Sequence, residues 1–506
     1  MENISSNKRI AKNTIVLYMR MIVVMAIGFY TARIVLQALG VEDYGLYNVV
    51  GGVVGFFTFL SISMTQCTQR FLNYEMAKPQ GDVKTIFSIS ITVHLIIIVV
   101  LLLLAETIGL WFLNNYIKIP EGRYDAAFWV YQASVFSLII TVLAIPYNAL
   151  VIAHERFNIF AVIGIVDALL KLLIAFAALK FNSDRLILYG ILMMSITIVD
   201  FLFYYGYCRR KFPESGFNVV FDKVRIRELF SFTSWRMLGM TFAVFAHYGT
   251  NMLVNFFHSV TANAAMGIGS QVNQAVVSLT SNFQTAFTPQ ITKTYASEEH
   301  QQFNFLVFTT SKISFLLLFV VSLPIIYNMD FLLNVWLTEV PPYASIFAVL
   351  SLIEGIINAV STPLDIAIMS SGKIKKYQLI YITICAVQIL ILYLLFYYGF
   401  PSYTAIAVKI LVTAAVLFLR LYCSSKVAGI KANIYFLKVL SPIILVSVAT
   451  AMIYFMLKSI HVAHIGTIIQ TIVLTLVSLG LSYYICLNRD ERVMLKNLVV
   501  KVIKRN

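Results

Sequence analysis

Apolar runs long enough to cross a lipid bilayer recur from one end of this 506-residue chain to the other, separated by short segments where Lys, Arg, Gly and Pro collect. A helix rises about 1.5 Å per residue, so about 20 apolar residues span the ~30 Å hydrocarbon core. On that measure the pattern predicts fourteen membrane helices, at 13–36, 44–67, 86–113, 126–152, 159–180, 186–207, 230–257, 264–287, 304–329, 343–370, 377–398, 403–423, 436–457 and 465–487. The first run is longer than a signal-peptide core and has no small-residue cleavage site after it, so it reads as a retained span. The eighth, "AAMGIGSQVNQAVVSLTSNFQTAF", is crowded with Ser, Thr, Asn and Gln. Polar side chains are costly against lipid, so this helix is expected to face other helices or a wet cavity.

Composition agrees with the pattern: 60% of the residues are hydrophobic and only 12% charged, far from a soluble domain. The fold class expected is all-α and polytopic. An even number of spans puts both termini on one side. Lys and Arg crowd the loops on that side, while the opposite loops hold only Lys118, Arg123, Lys180, Arg185 and Lys458. Basic loops stay cytoplasmic, so both termini are expected on the cytoplasmic side of the membrane. The net charge of +15 is then mostly topology, with anionic lipid headgroups as its partner, and nucleic acid is not expected. Trp111, Trp129 and Trp336 fall near outer span ends, as an aromatic belt would. The five cysteines are scattered without a CxxC pair, so neither a metal site nor a disulfide framework is expected.

The basic segment 208–228 divides the chain after six spans, and the two sides echo each other. "YMRMIVVMAIGFY" matches "SWRMLGMTFAVFAHY", pairing Arg20 with Arg236; "IPYNALVIAHERF" matches "TPLDIAIMSSGKI", pairing Pro146 with Pro363 and Arg156 with Lys373. The three pairs are the same distance apart to within one residue. Two parallel six-helix lobes are expected, 1–210 and 229–427, joined by a basic linker at 211–228. An additional helix pair follows at 428–488, then a basic tail at 489–506. Halves of this kind rock about a central site in transporters. Pro146 and Pro363 are the expected kinks, since proline removes a helix hydrogen bond.

A charge inside a bilayer marks a cavity or a partner. The basic residues within spans are Arg20, Arg33, Lys171, Arg236, Lys312, Lys409 and Arg420; the acids are Glu106, Asp167, Asp200, Glu354 and Asp365. Arg420 is expected to snorkel to the interface. Asp167 and Lys171 share a helix face. Arg20 and Arg236 lie at matching depth in the two lobes, and Lys312 at a comparable depth. Guanidinium groups bind phosphate oxygens in pairs and ammonium groups as point charges. The substrate-binding candidates are therefore Arg20, Arg236, Arg33, Lys312, Lys171 and Lys409, forming a cationic cavity for an anion. Asp365, Asp167 and Asp200 are the candidates for ion coupling.

With these features in place, "NKRIAKNTIVLYMR" and "ARIVLQALGVEDYGLYNVV" give the chain its resemblance. It resembles the polysaccharide-export flippases of the multidrug/oligosaccharidyl-lipid/polysaccharide exporter superfamily. The resemblance implies a transporter, not an enzyme, that moves undecaprenyl-pyrophosphate-linked oligosaccharide units from the cytoplasmic to the periplasmic leaflet by alternating access. It implies no cofactor beyond coupling to H+ or Na+, and a polysaccharide polymerase or export machinery as partner. On this reading the stretch 33–52 is the periplasmic turn after the first span. Arg33 lies at the outer mouth, Glu42 and Asp43 in water, and Gly45, Gly51 and Gly52 permit a tight start to the next helix. The alternatives are a drug exporter or a lipid II flippase of the same superfamily, and more remotely a membrane enzyme of glycan polymerisation. The sequence carries no large extramembrane loop, acid-rich metal motif or P-loop to favour an enzyme.

Overall fold

A computed structural model describes residues 2–55, 58–116, 119, 121–180, 184–218, 220, 222–337, 339–459, 464–488 and 491–492. Among them the secondary structure is helical throughout. The helices are α1 (Glu2–Gly55), α2 (Thr58–Met76), α3 (Val83–Leu104), α4 (Leu110–Tyr116), α5 (Tyr124–Ala153), α6 (Phe157–Lys180), α7 (Arg185–Lys211), α8 (Lys223–Phe257), α9 (Val260–Ala296), α10 (His300–Tyr327), α11 (Met329–Trp336), α12 (Ala344–Ser371), α13 (Lys375–Tyr397), α14 (Thr404–Val427), α15 (Ala432–Tyr435), α16 (Ser441–Lys458) and α17 (His464–Leu481). Among the described residues, twelve segments are long and apolar enough to cross a membrane. They coincide with twelve of the fourteen expected spans. The other two are 44–67, which runs through residues outside the described set, and 264–287. The second is helical within α9, where its Ser, Thr, Asn and Gln keep the hydropathy low. The chain is a multi-pass membrane protein, and Trp111, Trp129 and Trp336 are each more than half exposed, as lipid-facing residues would be.

The chain divides into two compact units. One comprises residues 13–240, the other residues 1–12 and 241–506. The division thus falls inside α8, later than the 211–228 linker, and Arg236 belongs with the N-terminal unit. The helix pair beyond 428 belongs to the C-terminal unit. There α17 packs on α10, Tyr327 donates to Gln470 at 2.6 Å, and Asn328 donates to Thr471 at 2.9 Å.

Within each unit one central helix organises the packing. In the N-terminal unit α5 packs on α7, α2 and α3; in the C-terminal unit α12 packs on α14, α9 and α10. These are corresponding partners under the internal repeat. The turns that end the two hub helices correspond as well. Glu155 (φ 56°) and Gly372 (φ 76°) both adopt the left-handed conformation that closes a helix C-terminus. After α5, the Arg156 N–H returns to the Val151 carbonyl at 3.0 Å. The apolar core of the N-terminal unit gathers Val93, Leu101, Val130, Tyr131, Val142 and Ile145, and that of the C-terminal unit gathers Met266, Leu318, Phe347, Leu352, Leu392 and Phe396.

The turn after the first span is built differently from the expectation. Its bend sits at Gly40, at φ 77° and ψ 171° inside α1, a region of backbone space reserved for glycine. Gly45 and Gly51 are helical, and a Cβ on either would meet nothing within 4 Å, so neither permits a close approach within its unit. Asp43 is not simply solvated. Its carboxylate pairs with the Arg123 guanidinium, with Nε to Oδ1 at 2.9 Å. Arg123 also reaches Asp184 at 2.6 Å, and Asp184 caps α7 by accepting from the N–H groups of Leu186 and Ile187. Burial alone would raise the Asp184 carboxyl. The hydrogen bonds from Arg123 and Ile187 outweigh it and hold the group below its ordinary value. The side chain of Glu42 and the tail from 493 onward lie outside the described residues.

Both prolines sit inside unbroken helices, Pro146 in α5 and Pro363 in α12. Pro363 has no N–H for the Ala359 carbonyl, and Gln284 from α9 supplies one instead, at 2.9 Å. The Val360 carbonyl accepts from the Tyr435 hydroxyl at 3.2 Å. Gln284 also donates to Ser314 at 2.9 Å. Part of the polarity of α9 therefore repairs the neighbouring helix.

Candidate functional site

In the N-terminal unit, Arg20 on α1 lies over the Phe160 ring, its guanidinium carbon 4.4 Å from the centroid. The contact needs Gly164 on α6, because a Cβ there would collide with the guanidinium. Tyr204 and Asp167 interact with Arg20 electrostatically, yet among the described residues its buried Nε meets no acceptor. A buried N–H without a partner forfeits the hydrogen bond it had in water, a cost of about 1–3 kcal/mol. One helical turn further, Val24, Ile27, Gly28, Thr31, Ala32 and Val35 line a cavity of about 280 Å³ with Tyr44, Tyr47, Asp167, Lys171 and Tyr189. Lys171 donates to Asp167 at 2.9 Å, and Asp200 on α7 lies within hydrogen-bond reach of Asp167. One Asp200 oxygen is buried without a partner among the described residues. The fold thus brings Arg20, Lys171, Asp167 and Asp200 into one cluster on α1, α6 and α7.

Three of the other cationic candidates part from that cluster. Arg33 is exposed and does not line the cavity, although Ala32 beside it does. Arg236 is 8% exposed and donates to Gln66 on α2 at 3.1 Å, near Cys67 and Arg70. Lys312 requires a correction. It is 1% exposed on α10 and bonded to both oxygens of Glu491, at 3.1 and 3.0 Å. Thr309 and the Asn488 N–H complete the carboxylate. Enclosed against a fully bonded carboxylate, Lys312 does not line the cavity; it ties the start of the tail to α10.

The C-terminal unit holds a second polar cavity of about 270 Å³, lined from α8, α9, α12, α13 and α14. Lys409 lies 3.3 Å from Glu354, which also accepts from Thr413 at 3.0 Å. Arg420 forms part of the wall and does not snorkel. It donates to Ser361 at 2.6 Å and to Tyr377 at 3.1 Å, with Asp365 at 4.0 Å as its countercharge. Asp365 thus faces Arg420 and is not among the cavity-lining residues. Sequence reasoning missed Glu354, His247, Asn358, Tyr381 and Gln388 as site residues. Each sits on a different helix turn, and only Glu354 carried a signal, as an acid within a span.

A profile of the polysaccharide biosynthesis protein family matches residues 10–295, more than half of the chain. The chain belongs to that family. Direct comparison with curated protein sequences gives no match. Among solved structures, an outward-facing multidrug-resistance MATE transporter of the MOP superfamily superposes with a TM-score of 0.70 at 12% identity, covering 83% of this chain and 96% of that one. A Vibrio cholerae MATE transporter mutant gives 0.64 at 13% identity, covering 85% and 99%. A MOP superfamily transporter from Pyrococcus furiosus, described by the reversed polarity of its binding pocket, gives 0.63 at 14%, covering 82% and 96%. At these identities the likeness establishes the fold. This member of the polysaccharide biosynthesis family has the helical architecture of MATE transporters.

Proposed function

We propose that the chain is a flippase that carries an anionic lipid-linked glycan, of the undecaprenyl-pyrophosphate oligosaccharide class, from the cytoplasmic to the periplasmic leaflet by alternating access. The observation that carries the reading is Arg20, a partly buried guanidinium held against Phe160 and Gly164 that makes no hydrogen bond to any described residue. A phosphate oxygen is the acceptor such a group is suited to. Family membership supports a role in polysaccharide assembly, and the MATE-like fold supports transport. The glycan would serve O-antigen, capsule or exopolysaccharide assembly, with the polymerase and export machinery downstream, anionic lipids against the basic loops, and no catalytic step by the chain itself.

Asp167 and Asp200 are the proposed coupling groups. Two carboxylates within hydrogen-bond reach can bridge only through a proton, so this pair suits H+ better than Asp365, which serves Arg420.

Arg20→Ala is expected to lower surface-glycan export about 10- to 100-fold, the worth of a charge-assisted hydrogen bond of about 1.5–3 kcal/mol. Membrane content of the variant should equal wild type, and the lipid-linked intermediate should accumulate on the cytoplasmic side. Export at the wild-type rate by Arg20→Ala would remove Arg20, and with it the reading.

A further inference from the structure

We infer that the cavity inside the C-terminal unit is a binding site for an uncharged sugar unit. Its charges cancel locally: Lys409 stands against Glu354 at 3.3 Å, and Arg420 against Asp365 at 4.0 Å. What remains free is a mixture of donors and acceptors. Lys409 spends one of its three N–H groups on Glu354. The Asn358 amide accepts from Arg420 through its oxygen, and among the described residues its NH2 donates to nothing. Gln388 donates to Thr250 through its nitrogen at 3.4 Å, and its carbonyl oxygen accepts from no described residue.

That mixture selects a chemical class. Phosphate and carboxylate groups accept only, and would set their charge beside Glu354 and the Gln388 carbonyl. An ammonium donates only, and would meet Lys409 and the Asn358 NH2. A hydroxyl does both, so a ring bearing several hydroxyls satisfies the lining without adding charge to a site where charge is already balanced. The cavity volume of about 270 Å³ matches a sugar unit rather than an oligosaccharide, and Tyr381 contributes an aromatic surface for a ring face.

The inference rests on reading the chain as a glycan transporter, and the test separates the two. Full-length protein in phosphatidylethanolamine/phosphatidylglycerol nanodiscs is melted in the presence of N-acetylglucosamine, galactose, glucuronic acid, glucosamine or inorganic pyrophosphate. The neutral sugars should raise the melting temperature more than glucuronic acid or glucosamine. Asn358→Leu and Gln388→Leu should each weaken the neutral-sugar response at least tenfold and leave the pyrophosphate response unchanged. If a leucine variant fails to fold, Gln388→Glu, which adds a charge to the lining, should have the same effect. The inference is overturned if no neutral sugar acts, if a charged sugar acts more strongly, or if the neutral-sugar response survives these substitutions. A wild-type protein that responds to the neutral sugars but not to pyrophosphate would count against the anionic-lipid reading and leave the sugar site standing.

Discussion

At the scale of single residues, partners decided the roles. Lys312 and Arg20 read alike in the sequence, as lone cations two or three turns into a helix. Lys312 meets Glu491, 179 positions away, while Arg20 keeps a donor without an acceptor among the described residues. Removing one member of a buried pair strands the other charge, at a cost of about 3–5 kcal/mol, whereas replacing both with apolar groups is often neutral. Lys312→Met should therefore lower the unfolding midpoint in mild detergent sharply, and Lys312→Met with Glu491→Met should recover most of it. A double variant as unstable as the single one would show that the pair is not the anchor of the C-terminal segment. Asp167 and Lys171 illustrate the legible case. Their i,i+4 spacing alone implied the pairing that the structure shows at 2.9 Å.

At the scale of helices, breaks in regular structure were legible and their repair was not. Pro363 announces a lost hydrogen bond; nothing local to it says that Gln284, far earlier in the chain, supplies the missing donor. The polar composition of α9 did signal a helix with partners other than lipid, and Gln284 is one reason for it. Gln284→Leu leaves the Ala359 carbonyl and the Ser314 hydroxyl without that amide. About 1–3 kcal/mol of stability should be lost, read as a lower unfolding midpoint. Gln284→Glu should recover little, because a carboxylate cannot donate to the carbonyl. The Gly40 bend belongs to this scale too. The motif "LGVEDYG" marked a turn, but which of its glycines bends the chain is a matter of backbone angles. Only Gly40 has the positive φ.

At the scale of the whole molecule, the repeat seen in short matched strings reappears as matched packing. The α5 and α12 hubs gather equivalent neighbours and end in equivalent left-handed residues. The two compact units nevertheless divide inside α8, so Arg236, paired with Arg20 by sequence, belongs with the N-terminal unit. Charge in the loops makes a further prediction at this scale. Single cysteines placed in a background without the native five should be labelled from the cytoplasmic side at Gly216 and Ser425, and from the periplasmic side at Gly122 and Gly399. Labelling of Gly216 and Gly399 from the same side would invalidate the orientation.

The sequence by itself determined that this is a multi-pass membrane protein, where twelve of its long apolar helices fall, and which residues carry charge within those helices. Those properties depend on run length, periodicity and the energetic cost of charge in hydrocarbon, all local to a helix. Only the tertiary structure decided which charges cancel. It buried Lys312 against Glu491, set Arg420 against Asp365 and Lys409 against Glu354, and left Arg20 beside a cavity. The physical reason is that a hydrogen bond or ion pair acts over about 3 Å, and which groups come that close is set by the packing of helices distant in sequence.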